Sequence, residues 1–402
     1  MSSLSGMSAA ATKERIPELD ILRGLAFLAV VFQHSLGYYA QSPDIRPAEA
    51  AVLGMILHFT KFAVPAFVFV TGATLFYNYY DRLNYPSFIK KRALDILAPY
   101  LIWTCIYEIH FNGLPHISAV WLKEFGKTVL SGSEIYHLWF VIMIFQFYLA
   151  YPLLLYSFKK ARGMLSSRPR TVSAVILLAG GYAWLMWVSH SYIPQENLHL
   201  PSSLWQALFI DYRDRNFLFF IFYFIMGGLA GAGIMKWRFF VSRSVSWNSF
   251  LFAALYVWIG YELLAGGLGG RIDFNCSTPL KPSMFFYTVS EILLVYGLAM
   301  TISGRVSYLR SFLAFTGKYS YGAYLSHALA LKYAVSELGA ILPAGHIVLS
   351  SVLAFVLCAL GSLALTFLIG FLPYGKLVIG PYQRPAGKVL LPGNPPSVKK
   401  AG

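Results

Sequence analysis

The sequence predicts an all-α, polytopic integral membrane protein with about ten transmembrane helices and both termini in the cytoplasm. Three observations carry that prediction. Hydrophobic residues make up 57% of the 402 and charged residues only 12%, whereas soluble domains carry roughly 25% charged residues. Apolar stretches of the ~20 residues needed to cross a bilayer recur along the chain. Lys and Arg fall mainly in the connections between those stretches, on alternate sides.

The spans follow in order at roughly 21–40, 52–77, 94–112, 137–157, 172–190, 217–235, 248–265, 284–303, 319–338 and 347–373. The first starts behind the acidic residues Glu18 and Asp20, which suit a helix N-terminus. The third is preceded by the basic run Lys90-Lys91-Arg92, and the fourth opens at His137-Leu-Trp139-Phe140. The sixth carries Gly227, Gly228 and Gly231, a spacing that reads as close helix packing. The seventh is short and holds Glu262, and the eighth holds Glu291. The ninth, with His327 and Lys332, is the most polar.

An even number of spans puts both termini on one side. With the N-terminus, the even-numbered connections and the C-terminus assigned to the cytoplasm, 23 Lys and Arg lie inside and seven outside. The other two, Lys61 and Lys332, fall within spans. That bias selects the orientation. Residues 1–15 read as a flexible cytoplasmic N-terminus without a cleavable signal. Residues 16–380 read as one membrane domain, and 381–402, rich in Pro, Gly and Lys, as a disordered basic tail. The outer connections after the third, fifth and seventh spans are the long ones, where function concentrates.

Composition also excludes some functions. The net charge of +15 is dispersed among short connections and forms no basic domain, which argues against nucleic acid as a partner. Cys105, Cys276 and Cys358 are too scattered for a disulfide framework or a CxxC metal site. No HExxH or other close ligand motif is present, so no metal is expected. Nothing resembles a P-loop or a dinucleotide fingerprint.

Against this apolar background, Arg23 and His34 stand out in the first span. Eleven residues at about 100° each make three turns plus about 20°, so both lie on one helix face, roughly 16 Å apart. Arg23 falls at the cytoplasmic end and His34 about two-thirds of the way across. Glu18 and Asp20 stand ready to cap the helix or to pair with Arg23. The plainer alternative is a snorkelling arginine and a hydrogen-bonded interhelical histidine. The shared face and the cost of polar groups in a bilayer favour a functional pair. Further polar groups line the spans: His58, Lys61, Glu108, His110, His137, Glu262, Glu291, His327 and Lys332. For Lys90-Lys91-Arg92, topogenic charge competes with binding of a phosphorylated cytosolic ligand.

Five segments, in order, carry a family resemblance. Glu18-Leu-Asp20-x-x-Arg23-Gly24 with Arg23-x10-His34 resembles the start of the membrane acyltransferase 3 family. Pro65-Ala-Phe67-Val-Phe69-Val-Thr71-Gly72 is similar to that family's aromatic segment ending in Ser-Gly, with Thr71 in place of Ser. Lys90-Lys91-Arg92-x-x-Asp95-Ile-Leu-Ala-Pro99-Tyr100 resembles its basic segment, with Asp95 where a second arginine is frequent. His137-Leu-Trp139-Phe140 resembles the start of its fourth span. Gly317-Lys-Tyr-Ser320-Tyr321-Gly-Ala-Tyr324-Leu-Ser-His327 is similar to its Ser-Tyr-Gly-x-Tyr-Leu-x-His segment.

The resemblance implies a multi-pass protein of the bacterial inner membrane that O-acylates surface glycans. It implies acyl-coenzyme A, acetyl-coenzyme A above all, as a co-substrate and no resident cofactor. The implied partners are a saccharide acceptor, membrane lipids and polysaccharide-biosynthesis proteins. In that reading Arg23, Lys91 and Arg92 bind the polyanionic donor, and His34 takes the acceptor's proton. His137, Trp139, Ser320, Tyr321, Tyr324, His327, Glu18 and Asp20 are supporting or acceptor-side residues. The competing reading is an exporter of a surface polysaccharide or lipid-linked sugar without acyl transfer. Such a transporter favours inverted repeats and broken helices, and the sequence shows no convincing repeat.

Overall fold

The computed structural model describes residues 14–164, 167–266, 278–305, 307–343 and 345–381. Most of the predicted N-terminal segment, the tail from residue 382, and Cys276 lie outside them. All ten predicted apolar stretches fall in helix, and the described residues contain no β-strand element.

The first span is one helix, α1 (Pro17–Tyr39). The second is broken into α2 (Pro47–Phe59) and α3 (Ala63–Tyr79). The break follows from Pro65, which has no N–H to return to the carbonyl of Lys61. The Thr60 hydroxyl donates to the Leu57 carbonyl at 2.7 Å in the same turn. The basic run forms α4 (Tyr85–Arg92), which passes through a π-helical turn at Ala93–Leu97 into α5 (Ala98–Asn112). Pro99 frees a backbone acceptor there, and the Tyr321 hydroxyl donates to the neighbouring Ile96 carbonyl at 2.7 Å.

Between spans lies α6 (Ala119–Ser131), capped by Ser118, whose hydroxyl accepts from the Trp121 amide. Next come α7 (Trp139–Met164) and α8 (Arg168–Trp187), followed by short turns, α9 (Ile193–Gln195) and α10 (Ser203–Gln206). The second half comprises α11 (Ile221–Ala232), α12 (Ile234–Gly266), α13 (Pro282–Ser303), α14 (Tyr308–Ile341), α15 (Ile347–Ile369) and α16 (Gly375–Ile379).

Among the described residues, seven helical segments are long and apolar enough to cross a membrane: α1, α2–α3, α7, α8–α9, α12, α13 and α15. α5 and α11 are shorter, and α14, at 34 residues, falls short by composition. The protein is therefore a multi-pass membrane protein built from helices.

α1 sits inside the bundle, against α3, α13, α14 and α15. Ile21, Leu22, Phe27 and Val31 are fully buried. Lipid is as apolar as these side chains, so close packing and buried polar contacts hold such helices together. One crossing shows the packing. A Cβ on Gly227 would stand 2.0 Å from the Phe69 carbonyl oxygen, and one on Gly231 2.1 Å from that of Ala73. The glycines read from the sequence as packing residues thus let α11 lie against α3.

One buried ion pair ties three helices. Arg238 of α12 donates to both carboxylate oxygens of Glu18, at 2.7 and 3.0 Å, and the Tyr296 hydroxyl of α13 donates to the same carboxylate at 3.0 Å. The Glu18 side chain is completely buried and that of Arg238 is 6% exposed. Glu18 therefore lies within the first turn of α1 and pairs with Arg238, while Asp20 takes Arg23.

Candidate functional site

The site begins with a helix crossing. A Cβ on Gly24 of α1 would meet the Leu313 carbonyl oxygen of α14 at 2.4 Å, and one on Gly317 would meet that of Asp20 at 1.9 Å. The two backbones touch because both positions are glycine. Ten residues further along each helix stand His34 and His327. Their rings stack with centroids 5.3 Å apart and an interplanar angle of 26°. The crossing thus delivers two imidazoles to one place.

A third arrives from the turn before α7. The ring of His137 lies 4.3 Å from that of His327. Its neighbour Tyr136 covers His34 at 4.5 Å, and Tyr324 lies 5.2 Å from His137 and 5.5 Å from His327. The Tyr324 hydroxyl donates to the His137 carbonyl, which fixes the turn to α14. The Tyr107 hydroxyl of α5 donates to the Leu325 carbonyl at 2.7 Å.

Hydrogen bonding sets the tautomer of His327. Its Nδ1 lies 2.5 Å from the Tyr324 carbonyl oxygen. A carbonyl only accepts, so Nδ1 carries the proton and donates. In the neutral ring, Nε2 then keeps its lone pair. That Nε2 is buried and has no hydrogen-bond partner, and neither ring nitrogen of buried His137 has one. His34 is half-buried and makes its contacts through its ring face. Adjacent imidazole rings with a nitrogen free to accept are what a site for proton transfer needs. Among the described residues, no group of three or more His, Cys, Asp and Glu side chains is arranged to hold a metal ion.

The other end of α1 is cationic. Arg23 donates through Nη1 to Asp20 at 2.8 Å and through Nη2 to the Thr74 hydroxyl of α3 at 2.8 Å. Asp20 also accepts from Arg15 at 2.5 Å. Arg92 lies over the rings of Tyr148, Phe88 and Tyr79 at 5.3, 5.4 and 5.8 Å. Its buried Nε has no partner. Arg23 and Arg92 both come within electrostatic reach of Tyr148, as does Asp95. Lys91 is exposed on α4. The sequence-predicted Arg23 and Arg92 therefore both lie near Tyr148, and Lys91 is the exposed neighbour of Arg92 on α4.

Not every sequence-predicted residue reaches the histidines. The Ser320 hydroxyl donates to the Gly317 carbonyl of its own helix at 2.9 Å. Tyr321 braces the π turn through Ile96, and Trp139 packs against Phe220 at 6.1 Å. Glu18 belongs to the Arg238 pair. Tyr321, Trp139 and Glu18 hold neighbouring elements together, and Ser320 bonds within its own helix. Sequence reasoning missed Thr74, Tyr136, Tyr148 and Arg238. A polar residue one turn after Thr71 and an aromatic directly before His137 were the available signals for Thr74 and Tyr136.

These features define a class: a helical, multi-pass membrane protein with a cationic end and a cluster of imidazoles joined by one helix. Residues 16–371 match the acyltransferase domain of the acyltransferase 3 family, and the chain belongs to that family. It is a membrane acyltransferase of that family. Among curated proteins it is similar to one named "Putative membrane-bound acyltransferase YfiQ" of Bacillus subtilis (strain 168). The two are 22% identical over 394 residues, which span 93% of this chain and 97% of the relative. No solved structure matches the chain.

Proposed function

We propose that this acyltransferase moves an acyl group, acetyl in the simplest case, from cytosolic acyl-coenzyme A to a hydroxyl of a cell-surface or lipid-linked saccharide. The observation that carries the reading is the division of α1. Its first turns hold Arg23 beside Thr74 and near Arg92, and its last turns hold His34 among His137 and His327. Coenzyme A brings phosphates that suit guanidinium and ammonium groups. Arg23, Arg92 and Lys91 bind them, and the pantetheine arm extends along α1 toward His34. The path of roughly 16 Å follows from eleven residues of helix rise.

His34 acts as general base. The acceptor hydroxyl gives its proton to the imidazole as its oxygen forms a C–O bond with the thioester carbonyl carbon. The tetrahedral intermediate collapses with cleavage of the C–S bond, and the proton ends on the departing thiolate. Neutral imidazole suits this role near pH 7. His327 Nε2, with its tautomer set by the Tyr324 carbonyl, accepts a hydrogen bond from the acceptor or from protonated His34.

The full topology belongs to the same proposal: ten crossings, both termini cytoplasmic, in the bacterial inner membrane beside polysaccharide-biosynthesis proteins. The 23-to-seven charge distribution supports that orientation. The test is to supply purified protein in lipid nanodiscs with acetyl- and succinyl-coenzyme A labelled in the acyl group. Consumption of one donor with release of free coenzyme A supports the proposal. Failure to consume either, with saccharide acceptors present, removes it.

A further inference from the structure

A second polar cluster lies beyond the histidines, at the far ends of α5 and α14. Lys332 Nζ is 3.1 Å from His110 Nε2, and its ammonium stands 4.4 Å from the centroid of the Phe111 ring. The ammonium donates to Nε2, so the neutral His110 ring carries its proton on Nδ1. The pair therefore presents donors only: the remaining ammonium N–H groups and one imidazole N–H. No described carboxylate is paired with Lys332. The nearby Glu108 is engaged by the Trp121 indole at 3.0 Å and the Asn112 amide at 2.6 Å.

The cluster connects to the reaction centre through rings. Phe111 stacks on Tyr107 at 6.0 Å, and Tyr107 meets His137 edge-on at 6.0 Å. Along α14, Lys332 lies five residues past His327, about 7.5 Å of helix rise. Lys332, Phe111 and Tyr333 are exposed. In the proposed orientation, they stand at the outer edge of the bilayer, where lipid phosphates lie.

We propose that Lys332 and His110 bind a phosphoryl group of a membrane lipid in the outer headgroup layer. The chemistry matches on three counts: a set of donors without an acid, a cation at headgroup depth, and exposed aromatic rings for the acyl or prenyl chain. The proposal rests on the orientation and acceptor reading given above. If the phosphate belongs to a lipid-linked saccharide, the sugar beyond it falls within reach of His34, and the site positions the acceptor. If it belongs to a bilayer phospholipid, the site anchors the mouth of the reaction centre.

The two sources are separable by lipid binding, without acyl transfer. Detergent-purified protein is titrated with a short-chain polyprenyl phosphate, with the matching polyprenol, with phosphatidylglycerol and with diacylglycerol, and retained lipid is counted by native mass spectrometry. Lys332→Gln and His110→Ala should each weaken binding of a phosphorylated lipid about tenfold and leave its neutral counterpart unchanged. Lys332→Arg should retain binding. Selective loss for the polyprenyl phosphate assigns an acceptor carrier, and equal loss for phosphatidylglycerol assigns a bilayer lipid. Variants that hold all four lipids as wild type does overturn the site. A protein that consumes no acyl donor yet shows the Lys332-dependent loss keeps the site and removes the transfer reading alone.

Discussion

At the scale of single residues, the proposed chemistry rests on two side chains of α1. Arg23 and His34 share α1, where Asp20 and Thr74 hold the arginine and the rings of Tyr136 and His327 lie against the histidine. His34→Ala should lower the transfer rate at least about a hundredfold, the contribution of a positioned general base, with unchanged elution on size exclusion. Loss of the Tyr324-oriented imidazole in His327→Ala should lower kcat while the donor KM stays constant in steady-state kinetics. Glu18→Ala leaves a buried guanidinium without its carboxylate. It should destabilise the fold by about 3–5 kcal/mol, read as a lower melting temperature in detergent. Arg238 itself was illegible in the sequence. A topogenic arginine and an arginine in a buried ion pair read alike until the partner helix is placed. Tyr148 was hidden for another reason: in a chain that is 17% aromatic, a tyrosine with no motif beside it carries no signal.

At the scale of elements, hydropathy located the apolar helices, and backbone chemistry decided what it could not. The second span looked continuous because apolar residues flank its few polar ones closely on both sides. Pro65 divides it, and hydropathy does not see a missing N–H. The seventh span was read as 248–265, yet α12 runs Ile234–Gly266, because Lys236, Arg238 and Arg243 dilute the apolar signal of its first half. The α1–α14 crossing depends on two glycines whose role appears only when the helices meet. Gly317→Leu should push α14 off α1, separate His327 from His34, and remove both transfer and the monodisperse peak. The same substitution logic predicts little from Gly180→Ala, where a Cβ meets nothing within 4 Å.

At the scale of the whole molecule, the proposed mechanism divides its chemistry between two ends of one helix. Charge distribution supports the proposed orientation, while the contacts of α5 and α7 with α14 that assemble the histidine cluster were not legible, since they join residues about two hundred positions apart. The orientation is checked with a membrane-impermeant thiol reagent on intact cells, in a background lacking Cys105, Cys276 and Cys358. Lys123→Cys should be labelled at once and Lys160→Cys only after permeabilisation. The most direct test of the divided helix is the steady-state kinetics of acyl transfer from acetyl-coenzyme A by Arg23→Ala and His34→Ala, measured side by side. Arg23→Ala should raise the donor KM about tenfold or more, with kcat little changed. His34→Ala should lower kcat about a hundredfold or more, with the donor KM unchanged. A wild-type kcat in His34→Ala, or a loss in Arg23→Ala confined to kcat, would contradict that division.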